Sequence, residues 1–258
     1  MSALAAIGAI AVLTYVGICV LLYVTQRSML YFPTAESQHS SAEALYLSSG
    51  GTRLKIWHLR HSAEQAIVYF GGNAEDVAWN IDEFAAAFPT ADVYLVNYRG
   101  YGGSEGAPSE AAIFADAEVV FDYVQARHRE VSVIGRSLGS GVAMHVAAVR
   151  PVRKLALVTP YDSVANVAKA YLSLFPVSWL LEDRYDSLSR VADVRVPILV
   201  LLAAQDRIIA RAHSERLIAA FAHGQTQTRV IAGTSHDSIA AAPEYHAALA
   251  AFLLAGAR

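Results

Sequence analysis

The pentapeptide Gly135-Arg136-Ser137-Leu138-Gly139 follows directly on the apolar run Val131–Ile134 and opens a stretch of helical spacing. With 16 glycines and 21 serines among 258 residues, a G-x-S-x-G pattern arises by chance roughly 0.08 times, before a strand-turn-helix setting is required as well. In that setting the glycines have a steric purpose. The turn bends too sharply for bulky neighbours and lifts the serine hydroxyl above a strand end, where helix N–H groups face developing negative charge. The competing reading is a glycine-rich helix start with an ordinary N-cap serine. A serine hydroxyl is a weak nucleophile, so acyl-transfer chemistry needs a base, and the base needs an orienting acid. His236, in Gly233-Thr234-Ser235-His236 after the last predicted strand, is the candidate base. Asp206, in the loop after the apolar run Val196–Ala203, is the favoured acid, with Asp162 after Leu155–Val158 as its competitor. Of the nine histidines, His213, His223 and His246 fall on helices or their ends, and His58 and His61 flank a polar hairpin edge.

Three residues so far apart in sequence meet only if a sheet carries them to one edge. Leu45–Leu47 and Leu54–His58 read as an opening hairpin around Gly50-Gly51. Ala66–Phe70, Val93–Asn97, Val131–Ile134, Leu155–Val158, Ile198–Leu202 and Thr228–Ile231 are runs suited to strands buried on both faces. Between them Glu75–Phe88, Ser109–His128, Leu138–Val149, Ala212–Ala222 and Pro243–Leu254 carry helical spacing. This alternation predicts an α/β domain with a mostly parallel sheet and helices on both faces.

From Ala3 to Val24 the only polar residues are Thr14, Tyr15 and Tyr23, and no charge precedes Arg27. At about 1.5 Å per residue this is roughly 33 Å of helix, enough for a hydrocarbon core of about 30 Å. A cleaved signal peptide carries a shorter apolar run, a basic leader and a small-residue cleavage site, so the segment reads as a retained anchor. We therefore expect an N-terminal transmembrane helix over residues 1–26 and one domain over 27–258, with Pro33 closing the exit segment. Arg27, Arg53, Lys55 and Arg60 follow the anchor, which favours a cytoplasmic domain. A formal charge of −3 and the lack of a basic block exclude a phosphate-backbone partner. The single cysteine, Cys19, supplies neither an internal disulfide nor a thiolate zinc cage.

The anchor, Tyr69-Phe70-Gly71-Gly72-Asn73-Ala74, Asn97-Tyr98-Arg99-Gly100-Tyr101-Gly102, the Ser137 turn, Asp206 and His236, in that order, resemble a membrane-anchored subgroup of the α/β-hydrolase superfamily. The resemblance spans roughly residues 25–255. It implies serine hydrolysis of acyl esters or thioesters without metal or organic cofactor, as in lysophospholipases, monoacylglycerol lipases and protein depalmitoylases. It also implies an oxyanion hole made by the N–H groups of Asn73 and Leu138. Two positions depart from the pattern. Gly71 stands where these proteins usually carry a loop-supporting His, and Ile208-Ile209-Ala210 stands where a Pro is common.

Arg99 and Tyr101 either line the mouth of the site or build their loop. Residues 161–190 form a small cap insertion within the domain, whose apolar members, Tyr171 and Phe175 among them, either receive an acyl chain or cover the sheet; Tyr161 opens the segment. A small cap beside an anchor favours substrates at a membrane surface, lipid esters or acylated proteins. Two further readings stay open: a non-catalytic, membrane-tethered interaction protein on the same scaffold, and a peptidase.

Overall fold

The computed structural model describes residues 3–39 and 41–256. The chain opens with a continuous helix α1 (Ala3–Leu30) and an irregular stretch containing Pro33. Among the described residues α1 is the helix long and apolar enough to cross a membrane. Gly50 and Gly51 then hold φ of 55° and 81°, values open to residues without a Cβ, and turn β1 (Glu43–Ser49) back onto β2 (Thr52–Leu59).

The rest alternates. β3 (Gln65–Phe70) leads through a loop and a 3₁₀ turn (Val77–Asn80) into α2 (Ile81–Ala87) and β4 (Asp92–Val96). Next come α3 (Glu110–Gln125), β5 (Glu130–Arg136), α4 (Leu138–Val149) and β6 (Leu155–Val158). The cap holds α5 (Val164–Tyr171) and α6 (Val177–Leu180), and β7 (Ile198–Ala203), α7 (Arg211–Ala220), β8 (Thr226–Ile231) and α8 (Pro243–Leu253) complete the chain. One sheet runs β1-β2-β4-β3-β5-β6-β7-β8, antiparallel at β1/β2 and β2/β4 and parallel thereafter.

Burial on both faces explains why the central strands are apolar throughout: every residue of β4, β6 and β7 is buried, and the two faces feed separate cores. Three expectations need correcting. β8 is an edge strand with Gln227 to Val230 exposed, so its outer face is wet. The expected helix Glu75–Phe88 starts late, because Asp76 caps the 3₁₀ turn by accepting from Ala78 N–H and Glu75 is drawn into the preceding loop. His58 is no polar edge residue. It is buried in β2, hydrogen-bonded to Asp92 at 2.9 Å and stacked on Tyr94.

Candidate active site

The centre of the sheet ends in a strained turn. Ser137, between β5 and α4, has φ 49° and ψ −118°, a left-handed conformation that costs a non-glycine residue free energy. Its N–H donates to Val158 O at 2.9 Å, tying the turn to the end of β6. The flanking glycines have no room for a side chain. A Cβ on Gly139 would lie 2.1 Å from Phe70 O, and one on Gly135 would lie 2.3 Å from Gly139 O.

The loops after β7 and β8 carry the other two residues to the same rim. His236 Nε2 lies 2.8 Å from Ser137 Oγ, and His236 Nδ1 lies 2.8 Å from Asp206 Oδ2. The other oxygen of Asp206 accepts from Ile208 N–H at 2.9 Å and Ile209 N–H at 2.8 Å. Burial pushes the Asp206 carboxyl toward protonation, but the hydrogen bonds to His236 and these two N–H groups outweigh it and hold the group below the usual carboxylate range. With Asp206 ionised, Nδ1 carries the ring proton and donates to it, leaving Nε2 to accept from the Ser137 hydroxyl. A hydroxyl, a proton acceptor and an orienting carboxylate are thus aligned for nucleophilic attack on a carbonyl.

Residues 65–188 match the family described as alpha/beta hydrolase fold. The chain is 32% identical over 244 residues to the uncharacterized protein Rv2307c of Mycobacterium tuberculosis, covering 89% of this chain and 86% of that protein. The chain belongs to the α/β-hydrolase superfamily. Another relative is the alpha/beta hydrolase domain-containing protein WAV2 of Arabidopsis thaliana, 27% identical over 67% of this chain and 64% of its own. Among solved structures, the Pyrococcus furiosus esterase Pf2001 superposes with a TM-score of 0.70 at 15% identity, covering 86% of this chain and 98% of that one.

This α/β-hydrolase replaces the usual histidine of the loop after β3 with a different support. A Cβ on Gly71 would lie 2.8 Å from Val77 Cγ1 and 3.3 Å from Glu75 Cδ, so the space is already filled. The buried Glu75 carboxylate accepts from Gly72 N–H and Tyr69 OH at 2.6 Å each, from Asn80 Nδ2 at 2.8 Å and from Arg136 at 2.7 Å. Arg136 in turn donates to the carbonyls of His236, at 3.3 Å, and Asp237, at 3.5 Å. Burial disfavours the guanidinium charge, yet Glu75 more than compensates and holds its pKa above the ordinary value. One ion pair therefore joins the Asn73 loop, the Ser137 turn and the His236 loop. Sequence reasoning missed it because Glu75 and Arg136 are 61 positions apart and Glu75 reads as a helix start.

Asn73 sits on this loop, and its side chain is committed elsewhere. Its amide donates to Leu30 O, and its Oδ1 accepts from Phe32 N–H at 3.0 Å and Tyr101 OH at 2.8 Å. Asn73 lies on the loop after β3, and Leu138 is the first residue of α4, directly after Ser137. The other candidates make contacts within the domain. Arg99 forms a two-pronged pair with Asp116 of α3. Tyr101 is buried against Asn73 and Phe32, and the buried Tyr161 donates to Leu138 O at 3.0 Å, steadying α4 from below. Tyr171 is exposed, its OH reaching the carbonyls of Arg207 and Ile208 beside Asp206. Phe175 lines an apolar cavity of about 180 Å³ between α1 and the cap, bounded also by Leu22, Leu30, Val164 and Leu181. None of the three aligned residues lines that cavity; Leu30, which does, has its carbonyl held by Asn73. His236 pairs with Asp206 and not with Asp162. Asp162 is fully buried and accepts from Ser163 N–H, Asn166, His213 and Arg216, fastening the base of the cap to α7.

Proposed function

We propose that this protein is a membrane-anchored serine hydrolase that cleaves carboxylic ester or thioester bonds of acylated substrates, lipid esters or acylated proteins. The observation that carries this reading is the bridging imidazole of His236, 2.8 Å from both the Ser137 hydroxyl and the Asp206 carboxylate. His236 takes the hydroxyl proton through Nε2 as Ser137 Oγ attacks the carbonyl carbon. Asp206 holds the ring in the productive tautomer and stabilises the imidazolium. The N–H groups of Asn73 and Leu138 receive the oxyanion, at the N-terminus of α4. Collapse of the tetrahedral species breaks the bond to the alcohol or thiol, which leaves with the proton from His236. Water, deprotonated by the same imidazole, then releases the acid and restores Ser137. The reaction so written draws on no metal or organic cofactor.

Substrate class follows from location. α1 anchors the domain, Arg27 as the first charge beyond the apolar stretch favours a cytoplasmic domain, and the cap presents apolar side chains. The test is fluorophosphonate labelling of the purified full-length protein, followed by hydrolysis of acyl esters, thioesters and amides by wild type and Ser137→Ala. We expect labelling and ester or thioester turnover in wild type and neither in the variant. An unlabelled wild-type protein would identify a scaffold, and preferential amide cleavage would identify a peptidase.

A further inference from the structure

The cap does not sit beside the exit of α1; it climbs along the helix. Arg27 pairs with Glu182 and Asp183 at 3.1 Å each. One turn earlier, Tyr23 OH donates to Glu182 at 2.8 Å, and Gln26 exchanges hydrogen bonds with Leu180 O and Glu182 N–H. Far up the helix, Tyr15 OH donates to Leu174 O at 3.0 Å and its ring stacks on Phe175 at 5.7 Å. From Arg27 to Tyr15 is about 18 Å of helix. If the hydrocarbon begins at Arg27, Leu174 lies near the middle of a core about 30 Å thick. If it begins at Tyr23, the depth is still about 12 Å.

The cap's composition fits immersion. Residues 170–181 carry no charged side chain, while Lys169 stands just before them and Glu182, Asp183 and Arg184 just after. Within this stretch Leu174 and Trp179 are 81% and 87% exposed to solvent, a poor disposition for water and a good one for lipid. Non-helical backbone enters hydrocarbon only if its polar groups are satisfied. Here Leu172 N–H, Phe175 N–H, Val177 N–H and Trp179 N–H donate to nearby carbonyls, and the carbonyls of Leu174, Ser178 and Leu180 accept from Tyr15, Arg184 and Gln26. The ion pairs at Arg27 would then mark the level of the headgroups.

We propose that the cap tip, residues 170–181, is embedded in the same membrane leaflet as α1, with the acyl chains of the lipids as its partner. This rests on reading α1 as a membrane anchor, and the test separates the two claims. Full-length protein is reconstituted into phosphatidylcholine vesicles with bromine on the acyl chains. Tryptophan emission of Trp79→Phe is compared with that of Trp79→Phe/Trp179→Phe, the difference belonging to Trp179 because Trp57 is buried and common to both. Adding Val12→Trp to the second variant reports on α1. We expect Trp179 to be quenched severalfold by brominated lipid and protected from aqueous iodide, in parallel with the indole introduced by Val12→Trp. Quenching of that introduced indole with Trp179 open to iodide overturns the proposal and leaves the anchor standing. Protection of Trp179 from both quenchers means a protein covers it, a second copy for instance, and also overturns the proposal. Iodide access at both positions overturns the anchor as well.

Discussion

Removing Arg136 tests whether the ion pair beneath the nucleophile turn takes the place of the missing histidine. In Arg136→Met the aliphatic stem is kept and the guanidinium is lost, so the Glu75 carboxylate, 5% exposed, keeps its charge without a cation. Breaking a buried pair in this way costs about 3–5 kcal/mol. The lower end applies, because Gly72 N–H, Tyr69 OH and Asn80 still donate to the carboxylate. About 3 kcal/mol lowers Tm by roughly 6–12 °C for a domain of this size. The same change releases the His236 loop and the Asn73 loop from each other, so we expect kcat to fall by about 10²–10³, as when one oxyanion donor is lost. Glu75→Gln/Arg136→Met should recover part of the stability. A glutamine amide can accept from Gly72 N–H while Tyr69 OH rotates to accept and Asn80 turns its amide, and the double-mutant cycle should give a coupling of about 1.5 kcal/mol or more. Thermal unfolding in detergent, with turnover of a short-chain ester, reads both quantities. A Tm within about 2 °C of wild type together with unchanged kcat in Arg136→Met would refute the reasoning.

Ser137→Ala should leave Tm nearly unchanged and lower kcat by up to about 10⁶. The two aspartates should separate cleanly. Asp206→Asn lowers kcat by about 10⁴ through the wrong tautomer, whereas Asp162→Asn costs roughly 2–3 kcal/mol of stability, placing an amide among buried donors, and leaves ester turnover near wild type. Gly71→Ala should destabilise by about 1–3 kcal/mol from overpacking against Val77, and Val77→Ala in the same chain should restore the loss. The carboxyls of Asp206, Asp92 and Asp162 are all held below their ordinary values, against burial, by the groups that donate to them. Their stabilisation is therefore complete above the unfolded value of about 3.9 and disappears as pH falls through the depressed folded values. Unfolding followed as a function of pH should show Tm falling below pH of about 4, and falling less steeply in Asp206→Asn.

The middle of the sheet was legible because its strands are buried on both faces, and such strands read as unbroken apolar runs. Ser137 and Asp206 stood out for a related reason, since each follows a strand of that kind at its C-terminal end, whereas His236 follows the exposed edge strand β8. Edge elements carry a mixed pattern, which is why β8 read as a buried strand. The supports of the site were not legible. Glu75 is an acidic residue before an amphipathic stretch, indistinguishable in sequence from a helix N-terminus, and only the fold brings Arg136 above it. Arg99 and Tyr101 lie in a loop near the rim, and their partners Asp116 and Asn73, 17 and 28 positions away, could not be read from the sequence.

The exit of α1 is hydrogen-bonded to the rest of the domain on two sides. Asn73, on the loop after β3, spends its side chain on Leu30 and Phe32, and Tyr101 accepts from Phe32 N–H at 2.9 Å. One residue away, the buried Tyr31 donates to Asp183 at 3.1 Å and shares a 2.9 Å hydrogen bond with Tyr185, both at the foot of the cap. Asp183 also accepts from Glu110 N–H at the start of α3. Three consecutive residues, Leu30 to Phe32, thus tie the Asn73 loop on one side and the cap on the other. On the proposed reading of α1 as a membrane anchor, this junction would set the height of Ser137 above the bilayer and the reach of the cap together. An acyl chain drawn from such a bilayer between α1 and the cap would pass Leu22 before reaching Leu30, whose carbonyl is held by Asn73.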